Sequence, residues 1–276
     1  MKPRPFDYVR PDTVEEVLEL LAEYGDDARV LAGGQSLLPM LNLRLLEPSL
    51  LIDISRLAAL DTIHDRGDAI EIGAAVTQNK LMSWAPLQQK LPLVALALNH
   101  VGHFQTRNKG TVCGSIAHAD PSAELPLVLA LLGGEVVLQS RRGTFTLAAA
   151  DFHQDMLTTA RKADELVAAV RFPVVSRQGV AFQEVARRHG DFAIIAVAAV
   201  MQDAGQARVG VGGMAGRPLL REIKVERAAE AIGAWADELE GHEDLHASGA
   251  LRRAIFKRLG PPVIAAASTA KVGGTA

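Results

Sequence analysis

Cysteine is nearly absent: Cys113 is the one copy in 276 residues. A single thiol cannot close an internal disulfide. It cannot supply the four thiolates usual for an iron–sulfur cluster, and it excludes the cysteine-rich kinds of structural zinc site. If such a chain moves electrons, an organic cofactor must carry them here and any cluster must sit on another chain. An excess of one charge is lacking too. The formal net charge is -3 and the charged fraction 22%, so no generic pull toward nucleic acid or an anionic membrane follows. No stretch approaches the ~18 uninterrupted apolar residues of a membrane-spanning helix. The start, Met1-Lys2-Pro3-Arg4-Pro5, is basic but leads into no apolar signal core. These absences point to a soluble protein of the cytoplasm, with any membrane association made through a partner.

An apolar fraction of 49% is ample for a core, and the length suits two domains or one large one. The chain is organised around a short loop, Ala32-Gly33-Gly34-Gln35-Ser36, which follows an apolar Val30-Leu31. Adjacent glycines let a backbone turn tightly and approach a ligand closely. The amide N–H groups of such a turn can cradle an anion. The pattern is neither the dinucleotide fingerprint nor a P-loop. It reads equally as a nucleotide pyrophosphate site or as a plain structural turn.

A second stretch, Asn108 to Glu124, mixes small residues with hydrogen-bonding groups: Gly110 and Gly114 bracket Thr111, and Ser115, His118 and Asp120 precede Pro121. It reads either as a surface for a flat ligand and its phosphates, or as a tight turn with Asp120 capping the next helix. A third, Arg187-Arg188-His189-Gly190-Asp191-Phe192, offers a turn and a ring that could cover a ligand. Its plainer reading is a core phenylalanine beside wet arginines.

Around these stretches the pattern is mixed. Thr13 and Glu16 form a candidate capping box for a helix that Gly25 ends. Ala28–Leu31 and Leu50–Ile54 read as strands of a small α/β unit, with the glycine loop at a strand's C-terminal end. Ala69–Gly73 is a strand, Thr77 caps a helix, Leu91–Leu98 is helical, and so is Leu125–Leu131 up to Gly133-Gly134. Glu135–Gln139, Thr144–Leu147 and Leu166–Phe172 are strands of a mixed or antiparallel sheet. Pro173 and Ser176–Gly179 mark a boundary. Beyond it, Ala181–Ala186, Ala193–Met201 and Arg208–Val211 are strand candidates, with a turn at Asp203-Ala204-Gly205. Ala193–Val200 reads equally as a helix. Ala228–Leu239 and Leu251–Leu259 are helical, the second closed by Gly260-Pro261-Pro262. A mobile tail is expected over Lys271–Ala276.

Taken together, the three stretches resemble the FAD-binding, or medium, subunit of the molybdenum-containing hydroxylases. Ala32–Ser36 matches Ala-Gly-Gly-His/Gln-Ser. Arg107–Glu124 matches Arg-Asn-x-Gly-Thr-x-Gly-Gly-Ser/Asn-x-Ala-x-x-Asp-Pro-x-x-Asp/Glu. Arg188–Ala193 matches Arg-x-Gly-Asp-Phe/Tyr-Ala. The likeness runs from about Phe6 to Leu259. It implies an α+β chain with the vanillyl-alcohol-oxidase-type FAD-binding fold. Two N-terminal α/β subdomains (1–55 and 56–175) would precede a C-terminal domain of antiparallel sheet plus helices (176–276).

The resemblance also implies a role. FAD would sit here, while the molybdenum cofactor lies on a large subunit and the 2Fe–2S clusters on a small one, in a dimer of heterotrimers. Electrons would pass from the clusters to FAD and outward. The chain would carry no catalytic residue and no metal ligand, bind no nucleic acid and have no transmembrane segment. Implied cofactor contacts are Leu31, Ala32, Gly33, Gly34, Gln35, Ser36 and Leu37 around the pyrophosphate. Thr111, Gly114 and Ser115 would wrap the phosphates, with Ala119 and Asp120 toward the ribose. Leu166 follows, and Arg188, Asp191 and Phe192 lie toward the isoalloxazine. Two readings remain beside this one: a stand-alone flavin oxidoreductase and a flavin-free structural subunit. Cys113 departs from the pattern, which has glycine there. A side chain at that site requires a negative φ or a shifted loop, and FAD binding is expected to survive it. Gln35, in place of histidine, keeps hydrogen-bonding capacity but cannot titrate.

Overall fold

The computed structural model describes residues 2–175, 178–203 and 205–270. The expected tail, part of the expected boundary (Ser176-Arg177), Ala204 of the expected turn, and Met1 lie outside the described residues.

The chain begins with β1 (Asp7–Val9) and α1 (Val14–Tyr24). Thr13 Oγ1 accepts from the Glu16 N–H at 3.2 Å. The reciprocal arm of the box reaches one residue further back, to the Asp12 N–H at 2.8 Å. Gly25, at φ +51°, closes the helix. β2 (Ala28–Leu31), α2 (Leu37–Asn42) and β3 (Leu50–Asp53) complete the first unit, a parallel sheet in the order β1-β3-β2. β1 leaves no mark in the sequence: it is a three-residue edge strand, exposed throughout, with no apolar alternation.

The second unit is an antiparallel sheet, β4-β5-β10-β6-β7. Its strands are β4 (Ile63–Asp65), β5 (Ala69–Gly73), β6 (Glu135–Ser140), β7 (Gly143–Ala148) and β10 (Leu166–Pro173). A small hairpin of β8 (His153–Asp155) and β9 (Thr158–Thr159) stands apart. Between β5 and β6 run α3 (Gln78–Met82), α4 (Leu87–Lys90), α5 (Pro92–Leu98), α6 (Phe104–Arg107), α7 (Val112–His118) and α8 (Glu124–Leu131). The short α9 (Ala149–Phe152) follows β7. The stretch from Thr111 thus forms a helix where a tight turn was one reading. Thr111 caps it, its Oγ1 accepting from the Gly114 N–H at 2.9 Å, and Ala119 ends it at φ +53°.

The third unit is the antiparallel sheet β11 (Val180–Ala186), β12 (Ala193–Asp203), β13 (Gln206–Gly212) and β14 (Leu219–Lys224), with α10 (Ala228–Glu238) and α11 (Gly249–Thr269). This sheet is buried on both faces. Phe182, Ala196, Ala198 and Val200 join the core built by α5 and α8, while Ala181, Ile195, Val197 and Ala199 pack with Trp235, Phe256 and Ile264. A strand buried on both sides reads as an unbroken apolar run, which is why Ala193–Val200 resembled a helix.

One expectation fails plainly. α11 does not stop at Gly260-Pro261-Pro262 but continues to Thr269. The two prolines remove two N–H donors, yet Val263, Ile264 and Ala267 beyond them are buried beside β11 and β12. Gly260 lets α10 lie close, since a Cβ there would sit 2.9 Å from the Ile232 side chain. Packing outweighs the local breaker.

Candidate cofactor cleft

β2 delivers the chain to Ala32–Ser36, which turns into α2. Gly34 holds φ +70°, in the left-handed region that glycine tolerates. Gly33 is required for a different reason. A Cβ on it would collide with the carbonyl oxygen of Lys109 and lie 2.7 Å from the Gly110 Cα. The two glycine-bearing stretches, some 75 residues apart in sequence, therefore touch backbone to backbone. Among the described residues no protein group accepts from the backbone N–H groups of Gly33 to Leu37. Free N–H groups at a tight turn leading into a helix suit an anion.

The opposite wall is α7 and the segment before it. Gly110 and Val112 are pinned by hydrogen bonds to α3 and its approach: the Gln78 N–H donates to the Gly110 carbonyl at 2.8 Å, and the Val112 N–H to the Val76 carbonyl at 3.1 Å. Between the walls opens a cleft of about 750 Å³. Cys113 lies inside α7, so its φ is helical and its Cβ is accommodated. Its Sγ donates to the Ile72 carbonyl at 3.3 Å, and burial pushes the thiol far above its ordinary pKa. Such a thiol is inert.

Most of the residues expected at a cofactor line this cleft: Ala32, Gly33, Gly34, Gln35, Ser36, Leu37, Thr111, Gly114, Ser115, Leu166, Asp191 and Phe192. Phe192 is 60% exposed on the rim, behind Gly190 at φ +83°. It is not the core residue of the plainer reading. Four expected residues are not on the wall. Leu31 is paired with Asp53 inside the sheet. Ala119 is the buried helix end, its carbonyl accepting from Leu157. Asp120 Oδ1 accepts from the Ser122 N–H at 2.8 Å. Arg188 turns to Asp191, Nε to Oδ2 at 3.1 Å, and holds that carboxyl below its usual range.

Other lining residues gave little sign in the sequence. Gln78 is buried, its Oε1 without a hydrogen-bond partner among the described residues, and adjoins the Thr77 cap. Glu124 closes the second motif and is only 4% exposed, and burial raises its pKa to about 8, helped by Glu184 and Asp120. Arg29 and Arg161 also reach the cleft, each anchored on carbonyls: Arg29 on Asp26 at 2.7 Å, Arg161 on Glu165 at 2.8 Å. A cleft with unclaimed N–H groups along one loop and two arginines at its edge is chemically matched to a long ligand bearing phosphates. Among the described residues no group of three or more His, Cys, Asp or Glu could hold a metal, and no helix is long and apolar enough to cross a membrane.

Comparison with known proteins agrees with this geometry. Residues 4–175 match the family model described as the FAD binding domain in molybdopterin dehydrogenase. The chain is 43% identical over 202 residues to the 6-hydroxypseudooxynicotine dehydrogenase complex subunit alpha of Paenarthrobacter nicotinovorans, covering 73% of this chain and 68% of that one. It is 36% identical over 267 residues to the nicotine 6-hydroxylase medium subunit of the same organism, covering 91% and 93%. Among solved structures, quinoline 2-oxidoreductase from Pseudomonas putida 86 superposes with a TM-score of 0.90 at 34% identity, over 97% of this chain and 98% of that one. The architecture is the α+β, vanillyl-alcohol-oxidase-type arrangement, and the chain belongs to the family of FAD-binding domains of molybdopterin dehydrogenases.

Proposed function

We propose that the chain is the FAD-carrying electron-transfer subunit of a molybdenum-containing hydroxylase or dehydrogenase. The observation that carries the reading is the backbone contact of Gly33 with Lys109-Gly110, which joins two glycine motifs into the walls of one cleft. The N–H groups of Gly33 to Leu37 would hold the pyrophosphate, with Thr111, Gly114 and Ser115 facing it from α7. Phe192 and Asp191 would border the isoalloxazine from the rim. FAD supplies the ability to exchange electrons singly or in pairs, and the protein orients it and tunes its surroundings. We infer divisions near 55 and 175, a reading supported by sheets that span residues 7–53, 63–173 and 180–224.

Substrate oxidation belongs to a large molybdenum-cofactor subunit, and the 2Fe–2S clusters to a small one, in a dimer of heterotrimers. The single buried cysteine supports this division, since no cluster can be built from it. The substrate of the complex is then set on the large subunit, and N-heterocycles lead the candidates given the relatives' names. The test is to purify the chain with its co-expressed partners and measure bound flavin, then reduce the clusters and follow flavin absorbance. One FAD per chain that bleaches after cluster reduction is the expected result. A complex without flavin would overturn the reading.

A further inference from the structure

Gln78, the first residue of α3, is 5% exposed and lines the cleft. Its Oε1 is buried and has no hydrogen-bond partner among the described residues. The backbone around it is pinned: the Gln78 N–H donates to the Gly110 carbonyl at 2.8 Å, and Thr77 pairs with Thr111 in an antiparallel bridge. A buried polar atom left unmatched destabilises a fold, and few are kept without a reason. Close contacts fix where Gln78 stands along the wall. Gly33 meets Gly110, and a Cβ on Gly110 would lie 3.1 Å from both Gln78 Oε1 and the Thr106 carbonyl oxygen. A Cβ on Gly102 would lie 3.1 Å from the Thr106 side chain, and one on Gly190 would lie 3.1 Å from the Gly102 carbonyl carbon. Phe192 follows Gly190 and Asp191. The wall is thus continuous from the glycine loop to the rim, and Gln78 stands between the two.

We propose that the side-chain amide of Gln78 binds the ribityl chain of FAD by a hydrogen bond to one of its hydroxyls. This assignment rests on the FAD-carrying role proposed above. In that role the pyrophosphate lies on the N–H groups of Gly33 to Leu37 and the isoalloxazine lies at Phe192. The ribityl chain is the part of FAD that joins them, and its hydroxyls are the only polar groups it carries. A hydroxyl both donates and accepts. It therefore matches the amide oxygen, or the amide nitrogen after a half-turn that exchanges the two, with no movement of the backbone. A phosphate oxygen only accepts, so it leaves Oε1 unmatched. Binding of FAD then relieves a buried unmatched atom, and a flavin without that hydroxyl does not. A site built this way discriminates strongly against the analogue that lacks the bonding group.

The test measures dissociation constants by titration calorimetry on the full chain freed of flavin. The ligands are FAD, FAD analogues each lacking one ribityl hydroxyl, and FAD lacking the 2′-hydroxyl of its adenosine. In wild type, one ribityl deletion should weaken binding by about tenfold more than the others. Gln78→Leu should weaken FAD itself by about threefold to tenfold, and that same deletion should then have no further effect. Gln78→Met, unbranched and closer in shape, carries the same test if Gln78→Leu folds poorly. The lost discrimination separates a bond to the ribityl chain from a merely structural role. A wall disturbed in general would weaken FAD and every analogue alike, and that result would overturn the assignment. So would wild-type affinities in both variants. Lost discrimination at the adenosine hydroxyl instead would put the amide at the other end of FAD and also overturn it. A wild-type chain that binds no FAD overturns instead the FAD-carrying role on which the assignment rests.

Discussion

Replacing Glu124 by glutamine should flatten the protein's stability across neutral pH. Glu124 sits buried in the first turn of α8, and burial, with the carboxylates of Glu184 and Asp120, raises its pKa from 4.5 to about 8. The unfolded chain releases this proton near 4.5, while the folded chain keeps it to about 8. Throughout that interval the native state binds more protons than the unfolded one, so stability falls as pH rises and levels off above it. This is opposite in sign to a carboxylate held by arginine. At about 1.4 kcal/mol per unit, the shift corresponds to roughly 5 kcal/mol, a large share of the ~5–15 kcal/mol of a typical domain. Glu184, raised to about 7, adds a smaller loss of the same sign that ends earlier. The assay is urea unfolding of wild type and Glu124→Gln from about pH 5 to about pH 9. The variant should gain several kcal/mol on wild type as pH rises, with a constant difference beyond about pH 8. Parallel curves would refute the reasoning, since they require the native carboxyl to be ionised already at the acid end.

Gly33→Ala should part the two walls, because its Cβ meets backbone atoms of Lys109 and Gly110 that cannot rotate away. A stability loss of about 1–3 kcal/mol with loss of bound FAD is expected in denaturation and flavin-retention assays, and wild-type values in both would count against the contact. Cys113→Gly puts glycine inside α7 and deletes a buried thiol. Stability should drop by about 1–2 kcal/mol with FAD retention unchanged, and reduced retention would give the thiol a part in the cradle. Asp244→Ala leaves the buried Arg252 guanidinium without its carboxylate, now 2.6 Å away. A loss of about 3 kcal/mol is expected, and urea midpoints equal to wild type would show that the two carbonyls of Gly213 and Ile194 suffice to hold it.

Much of the fold and of the cleft was legible because it is written in local signals. Thr13, Thr77 and Thr111 each accept from an N–H three residues on, and each starts a helix. Gly33 and Gly34 sit at a strand end, where backbone geometry decides the residue type. The misses have a common physical origin in tertiary contact. Ala193–Val200 carries no period because both faces of β12 are covered. α11 runs through two prolines because the residues beyond them have a core to join. Arg161 and Glu165 reach the cleft from a loop whose sequence has no motif, and only the packing of that loop beside Arg29 places them. Asp120 shows the converse. Its neighbours match a pattern, but its carboxylate is engaged by the Ser122 N–H and it lies off the wall.

The cleft is held by a core that ignores the division between its walls. Val17 and Leu21 of α1 and Leu50 and Ile52 of β3 share one cluster with Ile70 and Ile72 of β5 and Val112 and Ile116 of α7. The loop at Ala32–Ser36 and the helix at Val112–His118 are thus fixed by side chains packed together, with Gly33 meeting Lys109-Gly110 just before that helix. A cradle built this way is preorganised: its N–H groups are already aimed before a ligand arrives, and little ordering cost falls on binding. In the electron-transfer role proposed above, this rigidity would have a direct use. A bound cofactor would then take its position from the core that the two walls share.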